Sequence, residues 1–207
     1  MSESPWPTIH AERLALLDDV RDLSPEQWST RSLCADWDVR QAFGHMIATA
    51  RKTPLGFVGG FAKAGFNFQK MARADVARET SGTAQDQVAA FASLASSTSS
   101  PPGPVDSWLG ETIVHAEDIR RPLGITHTYP LDAVTRTATF YSGSDLLIGS
   151  KSRIAGLTLR ATDADWSTGT GPSVEGPALA LLMAMTGRTA ALDELSGPGV
   201  TTLSSRS

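Results

Sequence analysis

The residues best suited to chemistry are few. The chain holds four histidines, His10, His45, His115 and His127, and one cysteine, Cys34. His115 lies in Gly110-Glu111-Thr112-Ile113-Val114-His115-Ala116-Glu117-Asp118-Ile119, four residues after Glu111. At about 100° and 1.5 Å per residue, side chains four apart on a helix point the same way, one turn apart. A carboxylate and an imidazole so placed can grip one divalent metal ion. His45 sits in Phe43-Gly44-His45-Met46-Ile47, flanked by apolar residues. If its helix and that of His115 both face the interior, His45 supplies a third ligand. Two His and one Glu with further positions open is the pattern of a catalytic rather than a structural zinc site. A plainer reading stands beside it: Glu-x-x-x-His is also a common surface hydrogen bond, and a His on an apolar face is often a satisfied core residue. Spacing alone leaves both open.

Other candidates are weaker. Cys34 precedes the helix that bears His45, but no acid–base partner is identifiable for it, and a buried structural thiol is the preferred reading. Asp36 and Asp38 bracket Trp37 and suit turn and cap chemistry. Asp118, three residues after His115, is a candidate to support it from behind. Glu117-Asp118 beside Arg120-Arg121 reads more simply as a solvated charge cluster. Arg188, after Gly187 at the end of an apolar helix, is a candidate for steadying an anionic substrate, with capping of the helix C-terminus as the simpler role. His10 and His127 have no comparable partners and are taken as structural or exposed. Gly169-Thr170-Gly171 lacks the strand–loop–helix context of a dinucleotide loop and reads as a turn.

The elements that must position these groups are mostly helical. Ile9, Leu14, Leu16, Leu17 and Val20 predict a first helix, with Glu12, Arg13, Asp18 and Asp19 largely on its other side and Thr8 as a candidate cap. A second helix is expected from Asp38, whose carboxylate can cap free backbone N–H groups, to just before Pro54. Residues 55–70 mix Gly56, Gly59, Gly60 and Gly65 with Phe57, Phe61, Phe66 and Phe68. They read as a glycine-softened helix or an aromatic loop, with an apolar wall packed in the core preferred. Val88, Phe91 and Leu94 suggest a helix over 83–95, and Ser96 to Pro104 is a connection that cannot stay helical. Two further helices are expected over about 105–123, ending at Gly124 as its C′ residue, and over about 131–148. Four main helices point to a bundle. After Gly149 the character changes: Leu157 to Thr162 alternates as a strand does, Trp166 to Gly169 is its candidate partner, and Ala178 to Met185 is an apolar helix. The fold class expected is therefore mainly α, a four-helix bundle over residues 1–150 with a small α+β appendage over 151–207.

Composition narrows the function. A chain of 207 residues with 41% hydrophobic and 19% charged residues can bury a core. Its 18 Lys and Arg against 22 Asp and Glu give a net charge of -4, which offers no general pull toward nucleic acid or an anionic membrane. The mean hydropathy of -0.12 agrees with a soluble protein. No apolar stretch approaches the roughly 20 residues that span a bilayer, and the N-terminus lacks the charged and apolar regions of a signal peptide. One cysteine excludes an internal disulfide. A cytoplasmic location is expected.

Two segments then carry a resemblance. Leu33-Cys34-Ala35-Asp36-Trp37-Asp38-Val39-Arg40 followed by His45 resembles the C-x-x-W-x-V-x-x-x-x-x-H opening of the mycothiol-dependent maleylpyruvate isomerase family, one of the DinB-like metal-binding bundles. Glu111 to Gly124 is similar to that family's second signature, E-x-x-x-H-x-x-D leading to an Arg-rich helix end and L-G. The tail from Gly171-Pro172 through Gly176-Pro177 to Gly187-Arg188 is similar to the family's short C-terminal region.

The resemblance implies a DinB-like bundle and a metal triad of His45, Glu111 and His115. It implies a divalent metal, usually zinc, that activates the sulfur of mycothiol or a related low-molecular-weight thiol toward a small electrophilic substrate. A general mycothiol-dependent transferase is preferred to the named isomerase, with the chain a monomer or homodimer and no nucleic-acid or membrane partner. The alternative is a non-catalytic small-ligand binder or dimeric interaction module on the same bundle, motivated by the Phe- and Gly-rich segment 55–68. A nucleic-acid damage-response role, suggested only by the DinB name, conflicts with the charge.

Overall fold

The computed structural model describes residues 4–34, 36–146 and 148–206; residues 1–3, on which part of the N-terminal reading falls, lie outside them. The chain divides into two units, Met1–His127 and Thr128–Ser207.

In the first unit α1 (Trp6–Val20) starts behind Pro5 without a side-chain cap, so Thr8 lies inside the helix and does not cap it. Its inward stripe is Ile9, Glu12, Arg13, Leu16 and Val20, while Leu14 is exposed. Steps of three and four residues place Glu12 and Arg13 on this stripe, and partners make their burial tolerable. Glu12 meets His127 Nε2 at 2.7 Å, and Arg13 donates to the Ser97 carbonyl at 2.9 Å. A short α2 (Pro25–Trp28) follows. Asp38 then caps α3 (Val39–Arg51), accepting from the Gln41 N–H at 2.7 Å, while the Gln41 side chain accepts from the Asp38 N–H. Such a reciprocal box fixes where the helix begins and hence which way His45 points.

After α3 come α4 (Pro54–Lys63), α5 (Phe68–Glu79), α6 (Ala84–Leu94) and α7 (Val105–Arg120). A 3₁₀ turn, Arg121–Leu123, and Gly124 at φ 68° end α7. Helices α1, α7, α3 and α6 pack each on the next in a closed ring, the four-helix bundle. Its centre holds Leu16, Trp28, Phe43, Ile47, Phe91 and Ile119. The Phe43 ring lies 5.5 Å from Trp28 and 4.8 Å, edge on, from Phe91. Gly44 permits a close approach: a Cβ there would come within 3.0 Å of Thr80 and 3.1 Å of Gln87.

Three expectations change. The fourth bundle helix is α6, not the segment from Leu131, because α6 buries Gln87 and Phe91 against α3. The preferred core wall at 55–70 is not found: α4 is a helix with no buried residue. The charge cluster at the end of α7 is not solvated, since Asp118 and Arg120 are fully buried and Arg120 Nε reaches Asp19 at 2.7 Å.

The second unit has its own core. The helix α8 (Leu131–Ser142) presents Ala133, Val134, Thr137, Ala138 and Tyr141 inward. It packs on α10 (Ala178–Met185), which is apolar throughout and buried at nearly every position. The change of character at Gly149 suggests a division at 150, but this pairing places the division after His127. An amphipathic stripe reveals that a helix has a partner, not which one. Between them lie α9 (Ser150–Arg153) and a three-stranded sheet of order β2-β1-β3, with β1 Thr158–Ala161, β2 Ser167–Gly169 and β3 Ser173–Gly176. The expected hairpin is present, Leu159 opposite Thr168 in antiparallel register. The third strand, parallel to β1 with Leu159 opposite Val174, is additional. A 3₁₀ segment, Thr189–Glu194, and α11 (Val200–Ser204) complete the unit.

Candidate metal centre

Two helices of the first unit bring the sequence-selected donors together. His45 projects from the middle of α3, and Glu111 and His115 from successive turns of α7, which packs on it. His45 Nε2 lies 2.7 Å from Glu111 Oε1, and His115 Nε2 lies 3.5 Å from Glu111 Oε2. One donor atom from each residue falls within 4.8 Å of the other two. The imidazole rings meet edge to face at 4.9 Å, and the Trp37 ring stands 4.9 Å from that of His45.

Supporting groups fix the donors. Asp118 Oδ2 accepts from His115 Nδ1 at 2.8 Å, which in the neutral ring selects the tautomer that leaves Nε2 free to ligate. Thr49, one turn beyond His45, donates its hydroxyl to Glu111 Oε1 at 3.2 Å. Burial opposes a charge on Glu111, yet the two imidazoles outweigh it and hold its carboxyl well below the usual carboxylate range. Burial likewise opposes an imidazolium at His115, but Glu111 and Asp118 outweigh it and raise the group from 6.5 to about 10. Burial also lowers the Arg13 guanidinium to about 10, against the pull of Glu111. The arrangement is thus a carboxylate shared by two imidazoles, with buried charge around it.

The donor set fits a divalent ion. Tetrahedral zinc with bonds near 2.0–2.2 Å needs donors about 3.3–3.6 Å apart, against 2.7 and 3.5 Å for the two Glu111–imidazole pairs and no more than 4.8 Å across the set. Beside Glu111 is a cavity of about 10 Å³, lined by Arg13, Met46, Thr49, Trp108 and Thr112 among others, with room for roughly one water. The buried Trp108 Nε1 has no hydrogen-bond partner among the described residues.

Not every candidate joins this cluster. Cys34, read as a buried structural thiol, is half-buried, and its sulfur lies within 4.8 Å of donor atoms of His115 and Asp118. His10 faces the Ser97 carbonyl at 3.3 Å and His127 pairs with Glu12, both structural contacts. Arg188 belongs to the second unit, where it donates to the Thr186 carbonyl at 2.8 Å. Arg13 and Thr49 are the neighbours that motif reading missed. For Arg13 the signal was its place in the 9, 12, 13, 16, 20 stripe; for Thr49, its position four residues after His45 on the same helix.

Comparison with known proteins agrees with the resemblance. Residues 9–102 match the family model described as Mycothiol maleylpyruvate isomerase N-terminal domain, a span that includes His45 and ends before α7. The whole chain is similar in fold to the crystal structure of the mycothiol-dependent maleylpyruvate isomerase. The TM-score is 0.64 at 11% identity, over 93% of this chain and 91% of that chain. A histidine-to-alanine mutant of a mycothiol-dependent maleylpyruvate isomerase matches with the same TM-score and coverage at 12% identity. No curated protein sequence matches the chain.

Proposed function

We propose that this chain, similar to the mycothiol-dependent maleylpyruvate isomerases over its N-terminal half, is a metal-dependent enzyme that uses mycothiol or a related low-molecular-weight thiol. The thiol sulfur adds to an electrophilic carbon of a small substrate. Elimination of the thiol then gives isomerisation, whereas its retention gives S-transfer, and we favour a general transferase. The observation that carries the proposal is the convergence of His45, Glu111 and His115 with a buried Asp118 behind His115.

These three residues would hold the ion, zinc by donor chemistry, with nickel, iron and cobalt also suited. A bound divalent ion supplies the acidity that ionises a coordinated thiol at neutral pH. The chain's own groups do the rest. Asp118 keeps the proton of His115 on Nδ1 and steers Nε2 inward. Thr49 fixes one oxygen of Glu111, and the packing of α3 on α7 holds the donors at their spacing.

Elemental analysis of purified wild type beside Glu111→Ala and His115→Ala tests the site: near-stoichiometric metal in wild type and loss in both variants is expected. Full occupancy in the variants removes the proposal. Mycothiol consumption with a panel of electrophiles then separates S-transfer from isomerisation. The second reading, a non-catalytic binder or dimeric module, is favoured by the exposed apolar α4. It requires a fourth protein ligand closing the ion, so a spectroscopically open or water-filled position counts against it.

A further inference from the structure

Helix α4 is apolar at every residue from Pro54 to Ala62, yet none is buried. A helix apolar all round normally lies inside a protein or against lipid. Phe57, Gly60, Phe61 and Ala64 are half-buried on one side, whereas Leu55, Val58, Gly59 and Ala62 form an exposed stripe on the other. Leu55 is 87% exposed and Val58 59%.

The end of α4 extends that stripe. Gly65 takes the left-handed conformation at φ 69°, and the Phe66 N–H reaches back to the Phe61 carbonyl at 2.9 Å, the closing bond of a Schellman turn. Phe66 itself stands at φ 61°, a region bulky side chains rarely occupy. Its ring meets Phe61 edge on at 5.6 Å and remains 73% exposed. The backbone is thus strained to hold an aromatic ring in water at the tip of the α4–α5 turn.

Charge is segregated around the same tip. Residues 51–74 carry Arg51, Lys52, Lys63, Lys70 and Arg73 and no acidic residue, in a chain with 22 acidic and 18 basic residues. Lys52 pairs with Asp75, Arg51 with Glu79 and Arg73 with Asp36. Lys63 and Lys70, either side of Phe66, are exposed and have no ion pair among the described residues. The net charge of the chain conceals this local reversal.

We propose that α4 and its turn form a docking surface for an anionic lipid bilayer. Leu55, Val58 and Phe66 enter the boundary between headgroups and acyl chains, and Lys63 and Lys70 meet lipid phosphates. A helix of ten residues is far too short to span, so it lies along the surface. A second copy of the chain fits less well, because a two-fold contact through this tip sets cation against cation. The proposal stands independently of the metal centre.

The test is flotation of the full chain with vesicles of phosphatidylcholine alone and of phosphatidylcholine with phosphatidylglycerol. Wild type is expected on the anionic vesicles only, and to be released by salt. Leu55→Ser with Phe66→Asn, and separately Lys63→Glu with Lys70→Glu, are each expected to weaken binding at least about tenfold. Because these side chains are exposed, circular dichroism should be unchanged and the melting midpoint should not fall; Phe66→Asn, which suits the left-handed backbone better, should if anything raise it. Absence of wild-type binding overturns the proposal, as does binding indifferent to both pairs. So does a wild-type dimer on gel filtration that the Leu55→Ser, Phe66→Asn variant turns into a monomer, which would assign the surface to a second copy.

Discussion

Helices α3 and α4 are separated by only two residues and are both rich in apolar side chains, yet they live in opposite environments. In α3, Val39, Ala42, Phe43, Met46, Ile47 and Ala50 recur at helical steps and are all buried, and on the other side Gly44 and Ala48 are buried too, because α5, α6 and α7 all pack on this helix. In α4 the apolar residues surround the axis and none is buried. Burial therefore follows from the helices that pack on a segment, not from its apolar content. The packing of α3 on α7 sets His45 against Glu111.

The sharpest way to break the contrast is truncation on each side of it. Phe43→Ala empties the contacts with Trp28 and Phe91 and should cost about 3–5 kcal/mol, whereas Leu55→Ala should change stability by less than about 0.5 kcal/mol, both read from urea unfolding. Equal costs would show that α4 is covered in solution. Next in size, Asp118→Asn should weaken metal binding by roughly 10–100-fold in a chelator competition, since His115 exchanges a charged acceptor for a weaker, neutral amide oxygen.

The pH dependence sharpens the account of α3 and α7. Without metal, His115 is raised from 6.5 to about 10, so its stabilising contribution is complete below 6.5 and fades as pH climbs through about 10. Metal needs the neutral ring, so its apparent affinity should move oppositely, rising up to about tenfold per pH unit between 6.5 and 9. Isothermal titration at several pH values checks the slope, and a flat profile contradicts the coupling. A modest loss is expected of Asp38→Ala, which removes the capping box of α3 and should cost about 1 kcal/mol in thermal melts.

Much of the bundle was legible in the sequence because helix boundaries are local chemistry. Asp38 before Val39, Thr83 before Ala84 and Gly124 after α7 mark ends that the structure retains. His45, Glu111 and His115 were selected by the four-residue step on α7 and by the apolar flanks of His45, and the structure places them together. What stayed hidden depends on partners distant in the chain. Arg13 and Glu12 look like surface charges until Ser97 and His127 stand opposite them. Asp118 looks solvated until the chain before α3 covers it, where the Leu33 N–H bonds to its carbonyl. The bundle place of α6, rather than the helix from Leu131, is likewise a matter of pairing.

Those distant partners also set a timetable for synthesis. Helix α1 is made first, but Asp19 bonds to Arg120, 101 residues later, and Glu12 to His127, 115 residues later. At roughly 5–20 residues per second, the 115-residue interval lasts on the order of 6–23 s, so the contacts of α1 with Arg120 and His127 form only after its packing against Trp28, Phe43 and Phe91 has become possible.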